Sequence, residues 1–242
     1  MKRTLYLFAT VLLLTLIACS GRPRKLSAKD FYFPYREFKT ETVYRYVNES
    51  DTSDYFNWVM RYQAEGKDTT LITTIWKGID LKQEEIREKL TSRGTVMTHY
   101  FLFTTDSLNN SYQTQCSVLE DTIYKWKFNP GDSCRWRVKY KENGKDMELL
   151  KARSFTGDSV SIDCLGKETK CMEFYDRFEL TASGGKDTVV QHFSYFVQSY
   201  YSRGLGLVKY KVSLPGQKRK DYLLMRKTGA EIGKIEKPGI GF

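Results

Sequence analysis

The sequence predicts a mainly β protein, a single large antiparallel meander that forms a curved half-barrel or else a closed barrel or sandwich. Aromatic residues are abundant, with 17 Tyr, 14 Phe and 4 Trp, whereas only 5 of 242 residues are Pro. Several segments alternate apolar and polar residues with the period of a half-buried strand. Turns rich in Gly, Asn and Asp separate them. About ten or eleven strands follow, and a sheet that long must curl, split or close.

Two segments show the alternation best. In YFNWVMRYQA, the apolar residues Phe56, Trp58, Met60 and Tyr62 fall on one face. In CRWRVKYK, Cys134, Trp136, Val138 and Tyr140 face one way and four basic residues face the other. If the curved sheet encloses a hollow, we expect four aromatic residues to line it, and otherwise to belong to the core: Phe56, Trp58, Trp136 and Tyr140.

The segment DLKQEEIREKLTSRG, residues 80–94, predicts one early α-helix near 80–93. Asp80 can cap its N-terminus, and Gly94 can end it. Ile86 and Leu90 are four residues apart, the spacing of one helix face. The apolar stripe is narrow, so this helix should lie against the sheet.

The N-terminus carries an export signal. Lys2 and Arg3 precede the apolar stretch LYLFATVLLLTLI, which is too short for a membrane-spanning helix of about 20 residues. It ends in LIAC, residues 16–19, which resembles the lipobox of bacterial lipoproteins. The resemblance implies cleavage before Cys19 and acylation of its thiol and new amine, which gives stable membrane attachment. The alternative is an ordinary signal peptide.

The residues after Cys19 bear on location. Ser20, in the place where Asp would signal retention in enterobacterial lipoproteins, favours the outer membrane. Residues 21–25 are basic, whereas an acidic cluster there exports some lipoproteins to the cell surface, so we expect a periplasm-facing protein. The chain then divides into a signal peptide (1–18), a tether (19–39), a β-rich domain (40–226) and an irregular tail (227–242).

The charge balance bears on partners. Loss of Lys2 and Arg3 with the signal lowers the formal net charge from +10 to +8. An exported basic chain is expected to meet anionic lipid or an acidic partner, not nucleic acid. Four basic residues in one row are the candidates for contact with an anionic surface, unless they simply form the solvated face of a strand: Arg135, Arg137, Lys139 and Lys141.

The segment YYSRGLGLVKYKV, residues 200–212, resembles an aromatic-x-x-Gly-x-Gly-Leu-Val-Lys pattern found near the last strands of many uncharacterised exported lipoproteins. The resemblance covers about the last third of the chain. It implies a curved half-barrel like that of periplasmic lipoprotein carriers. Independently, Gly204 and Gly206 allow a sharp bend between two strands.

Four cysteines remain after Cys19, an even number in an exported chain. In a tight hairpin centred between Lys167 and Glu168, Cys164 and Cys171 would lie opposite each other and could form a disulfide. Cys116 and Cys134 would then form the second pair. The alternative is four free, buried thiols.

The sequence offers little to catalysis. His99 and His192 lie in separate predicted strands, and nothing in the sequence brings them together. Nucleophile elbows, zinc-protease helices and phosphate-binding glycine loops are not found. We therefore expect a non-enzyme without cofactor or metal, anchored at Cys19, that binds an apolar or lipid-like ligand in its curved sheet. The alternative is an envelope scaffold or interaction protein with a filled core.

Overall fold

The computed structural model describes residues 27–38, 40–65, 68–105, 111–184 and 190–230. Two short 3₁₀ turns, Ala28–Phe31 and Tyr35–Glu37, precede the sheet. The described residues form these strands: β1 (Glu41–Asn48), β2 (Asp51–Glu65), β3 (Asp68–Lys77), β4 (Leu81–Leu90), β5 (Gly94–Thr105), β6 (Ser111–Lys125), β7 (Ser133–Glu142), β8 (Lys145–Cys164), β9 (Lys167–Ser183), β10 (Gln191–Ser202), β11 (Gly206–Ser213) and β12 (Lys220–Ala230).

The strands form one closed antiparallel barrel in which each strand pairs with its neighbours in sequence. β1 pairs with β12, with Val43 opposite Thr228 and Val47 opposite Leu223. The mainly β meander is therefore confirmed. Of the predicted architectures the closed barrel is observed and the half-barrel is not, because β12 continues to Ala230 and gives β1 a partner along its length. Residues 227–230 thus belong to the barrel and not to an irregular tail.

The meander gives the barrel two distinct ends. We call end A the one with the β4–β5, β6–β7, β8–β9 and β10–β11 connections, and end B the one with the β1–β2, β3–β4, β7–β8 and β11–β12 connections. Among the described residues, no helix combines the length and apolar character needed to cross a membrane.

The predicted helix near 80–93 is wrong, because this segment is strand β4, which pairs with both β3 and β5. Side chains in a strand alternate with a period of two residues, so residues four apart also lie on one face of a strand. Ile86 and Leu90 therefore both face the interior. Helix-favouring Glu, Lys and Arg residues complete the segment, but pairing on both edges overrides this local preference.

Residues 27–38, which the sequence assigned to a tether, are part of the core at end A. Phe31, Tyr32, Phe33 and Phe38 are all buried. The Phe33 ring packs on Tyr44 at 5.4 Å between centroids. The barrel therefore begins before β1, and its first residues close end A from inside. The reason is composition: FYFPY supplies the aromatic area that a wide barrel needs to fill its interior.

The interior contains two hydrophobic clusters. The larger one joins residues 27–38 to the barrel wall and is rich in aromatic contacts. The smaller one consists of Met97, Tyr100, Cys116, Trp136 and Val138. Charged side chains also point into this interior, and they define the site described next.

Candidate functional site

A buried ionic cluster lies on the inner face of the adjacent strands β8 and β9. The Arg153 guanidinium donates two hydrogen bonds to the Asp176 carboxylate, at 2.7 and 2.8 Å. Lys151 Nζ lies 3.1 Å from the same carboxylate, and the Ser199 hydroxyl donates to it at 2.8 Å. Burial alone would raise the pKa of Asp176, but the charges of Arg153 and Lys151 hold it well below its usual value. This carboxylate therefore stays ionised inside the barrel.

Aromatic rings surround the two cations. The Arg153 guanidinium lies 4.9 Å from the Tyr201 ring centroid and 5.4 Å from that of Phe174. Lys151 Nζ lies 4.8 Å from the Phe178 ring. Such cation–π contacts partly replace the water that these charges lose on burial.

Two glutamates of β4 also point inward. The Tyr32 hydroxyl donates to the Glu88 carboxylate at 2.5 Å, which links the N-terminal segment to the barrel wall. The Tyr100 hydroxyl donates to Glu84 at 2.8 Å. Desolvation raises the pKa of both carboxyls, and the tyrosine hydrogen bonds only partly oppose it. The acid groups of the interior therefore differ in the form they favour. Asp176 favours the charged form, whereas Glu84 and Glu88 favour the neutral form.

The sequence reasoning missed this cluster, although a signal was present. Lys151 and Arg153 lie on the same face of β8 as Met147, Leu149 and Phe155, which point into the interior. On β9, Asp176 likewise shares a face with Phe174 and Phe178. A charge on an otherwise apolar face of a strand indicates a buried, paired group.

The four residues predicted to line a ligand hollow do not share one site. Trp136 is buried against Tyr100 at 5.5 Å between ring centroids. Trp58 packs on Tyr46, and Phe56 packs on Tyr222. These three side chains therefore act as packing residues, as in the alternative interpretation.

Tyr140, by contrast, lines a cavity of about 580 Å³ at end B. Its other walls mix hydroxyl, aromatic, amide and charged groups: Leu102, Thr104, Thr105, Tyr112, Thr114, Lys141, Glu142 and Asn143. The size suits a small ligand. The lining of this cavity is too polar for a purely apolar ligand.

The basic row on β7 faces outward, as the alternation predicts, but carboxylates neutralise most of it. Arg135 and Arg137 both pair with Glu120, and Arg137 also pairs with Glu148 at 3.2 Å. Lys141 lies 3.7 Å from Asp146. These pairs leave the row little surplus charge, so they do not favour the predicted contact of Arg135, Arg137, Lys139 and Lys141 with an anionic surface.

The four cysteines are buried, free thiols, so the predicted disulfides are not formed. The β8–β9 turn is centred on Leu165 and Gly166, both with positive φ, instead of between Lys167 and Glu168. Cys164 therefore lies opposite Lys167, and Cys171 lies opposite Val160. Cys116 and Cys134 belong to different hydrophobic clusters. Cys19 lies outside the described residues, so its acylation stays a prediction.

The two histidines are both exposed and lie on separate strands. His99 contacts Thr98, and His192 contacts Thr181. Neither is joined to the interior carboxylates. Within the described residues, no group of three or more His, Cys, Asp or Glu side chains could hold a metal ion.

No family model matches the chain, and no curated protein does. Among solved structures it is similar to a candidate exported protein with a YmcC-like fold from Bacteroides fragilis, at 13% identity and a TM-score of 0.51, over 82% of this chain and 99% of that one. It is also similar to a candidate lipoprotein from Parabacteroides distasonis, at 11% identity and a TM-score of 0.45, over 82% of this chain and 98% of that one. The hypothetical lipoprotein YmcC from Escherichia coli matches at 10% identity and a TM-score of 0.33, over 84% of this chain and 90% of that one. At these identities the first similarity establishes a shared fold, a YmcC-like barrel, and nothing further.

Proposed function

We propose that this chain is an exported lipoprotein, anchored by acyl chains on Cys19 to the periplasmic face of the outer membrane. Its barrel is a rigid, non-catalytic module that binds other proteins of the cell envelope. The lipobox-like LIAC supports the anchor. The Bacteroides fragilis protein of similar fold is described as exported, which supports export.

The observation that carries the proposal is the packing of the described interior at end A and in the middle of the barrel. Tyr32 and Phe33 occupy end A, and the Arg153–Asp176 pair is buried against the rings of Phe174 and Tyr201. An apolar carrier needs an open, water-free hollow, whereas here the candidate lining residues Trp58 and Trp136 pack against other aromatic rings. A barrel packed in this way at end A and in its middle acts through its outer surface and its ends.

One outer surface suits a protein partner. Tyr175 and Phe196 lie side by side on the outer wall of β9 and β10, 42% and 39% exposed, with ring centroids 5.6 Å apart. Exposed aromatic side chains of this kind anchor protein interfaces.

The end B cavity favours a second candidate function, the binding of a small ligand of mixed polarity. Its volume and its hydroxyl and aromatic lining support this candidate. It is compatible with the first, because the cavity and the Tyr175–Phe196 pair lie on different surfaces.

The anchor is tested by mass spectrometry of the chain purified from a bacterial envelope. We expect acyl groups on Cys19 and loss of residues 1–18. Cys19→Ser should abolish both changes, whereas the matched control Cys116→Ser should retain them. An unmodified Cys19 in the wild-type chain would contradict the anchor.

The interaction module is tested by photocrosslinking in the envelope. A photoreactive residue at position 196 should give discrete adducts with another protein, and the same residue at Leu119, exposed on β6, is the control. Absence of adducts, together with a small molecule of defined mass in native mass spectrometry, would instead favour ligand binding.

A further inference from the structure

Four exposed cations lie around Ser27 at end A. Ser27 forms an isolated β-bridge with Lys127, and Lys29 Nζ lies 5.6 Å from the Trp126 ring centroid. The backbone N–H of Trp126 donates to the Arg93 carbonyl at 2.9 Å. On the other side, the Arg203 guanidinium lies 5.5 Å from the Phe31 ring. We call Lys29, Arg93, Lys127 and Arg203 the basic collar of end A.

The collar differs from the basic row on β7 in being unneutralised. Among the described residues, none of its four cations lies within ion-pair distance of a carboxylate, whereas Arg135, Arg137 and Lys141 each do. Asp30, Glu37, Asp163 and Glu168 are exposed acids at the same end, but none of them is paired with a collar cation among the described residues. The collar therefore carries a net positive charge that faces solvent.

Chain length places the collar near the anchor. Ser27 is eight residues from Cys19, so a fully extended chain spans at most about 29 Å between them. The intervening residues include Arg22, Arg24 and Lys25, which add three positive charges. Because Ser27 is bridged to Lys127, end A is the end of the barrel held nearest to the lipid.

We propose that the basic collar docks on the anionic headgroups of the membrane to which the chain is anchored. The barrel then stands with end A on the bilayer, and the cavity at end B faces away from it. Acyl chains and a cluster of basic residues reinforce each other, since headgroup attraction acts only within a short distance of the surface. The proposed orientation rests on the proposed anchor at Cys19.

The test uses the full mature chain with Cys19→Ala, which removes acylation and isolates the collar. Cosedimentation compares vesicles of phosphatidylcholine alone with vesicles that also contain phosphatidylglycerol. We expect binding to the anionic vesicles, and its loss at high salt because screening weakens the attraction. Equal binding to both kinds of vesicle, or none to either, would overturn the docking face.

A matched pair of double variants locates the contact. Arg93→Gln with Lys127→Gln should lower the partition coefficient on anionic vesicles about 30-fold, from about 1 kcal/mol for each cation at the surface. Lys139→Gln with Lys218→Gln removes the same charge from exposed residues elsewhere and should have a much smaller effect. Equal losses in the two variants would overturn the assignment to the collar. Because neither chain is acylated, this failure is distinct from failure of the anchor, which is judged by the mass of Cys19.

Discussion

Arg153 on β8 and Asp176 on β9 form a two-hydrogen-bond ion pair inside the barrel, at 2.7 and 2.8 Å. Both residues are almost fully buried, at 4% and 0% exposed. Directly opposite positions in the β8–β9 ladder bring them together. A shift of one residue would place one of the two charges outside the barrel, so the pair also defines the register of its longest hairpin.

Asp176→Asn should lower the free energy of unfolding by about 3–5 kcal/mol, because it leaves Arg153 buried without its counter-charge. Asp146→Asn, which removes the exposed partner of Lys141, should cost less than about 1 kcal/mol. Urea denaturation of both variants measures the difference. Equal costs would show that the interior pair is not desolvated as the structure indicates.

Gly206→Ala should disrupt the docking of residues 27–38. Gly206 has φ +83°, and an added Cβ would overlap the Phe33 ring, with Cε1 at 2.9 Å. Gly216 has a similar φ of +69° but open space around it, so Gly216→Ala incurs backbone strain alone, about 1–2 kcal/mol. Gly206→Ala should cost about 1–3 kcal/mol more from overpacking, measured by chemical denaturation. If the two variants lose the same stability, Phe33 does not occupy this place in solution.

Glu88 predicts a pH dependence of stability. Burial raises its pKa in the folded state, so the folded protein binds this proton more tightly than the unfolded chain does. The contribution to stability is complete below the unfolded pKa of about 4.3 and is lost as pH rises through the folded pKa. Glu88→Gln cannot ionise and retains an acceptor for Tyr32, so it should flatten the fall in stability between pH 5 and pH 8.

Glu85, the outward neighbour on β4, is the matched control. Burial opposes ionisation there too, but Lys82 and Arg87 lower the pKa of Glu85 below its ordinary value. Its stabilising ionisation is therefore already complete at pH 5. Glu85→Gln should be less stable than wild type by the same amount at pH 5 and pH 8. A Glu88→Gln variant with the wild-type pH dependence would contradict the burial of this carboxyl.

The four interior thiols should be unreactive in the folded protein. Burial raises the pKa of Cys134 and Cys164 to about 11, and that of Cys116 and Cys171 to about 12. Thiolate is the reactive form, so iodoacetamide at pH 8 should modify none of them until urea is added. Mass spectrometry of the Cys19→Ala chain counts the adducts. Fewer than four adducts in urea without reductant would reveal a disulfide.

Local alternation was enough to predict the sheet but not every element of it. The inward face of β7, with Trp136 and Val138, follows directly from period two. Strand β4 does not, because Ile86 and Leu90 fit both a helix face and a strand face. Pairing with β3 and β5 decides between them, and that pairing is non-local.

The interior site depends on contacts that are distant in sequence. Tyr32 and Glu88 are 56 residues apart, and no local pattern relates them. The alternation along β8 and β9 does indicate that Lys151, Arg153 and Asp176 point into the barrel. Which of these side chains pair with each other, however, depends on the β8–β9 register. That register is set by a turn at Leu165–Gly166, two residues from where the sequence reasoning placed it.

Residues 27–38, which begin eight residues after the proposed anchor at Cys19, belong to the barrel core and do not form a tether. The measurement to make first is hydrogen-exchange mass spectrometry of the acylated chain on vesicles, because it reports how well the backbone of this segment is protected. We expect the backbone amides of residues 30–38 that donate hydrogen bonds, such as those of Tyr32 and Phe38, to exchange slowly, on the time scale of the barrel strands. Complete exchange of these amides within seconds, while the strands remain protected, would contradict it.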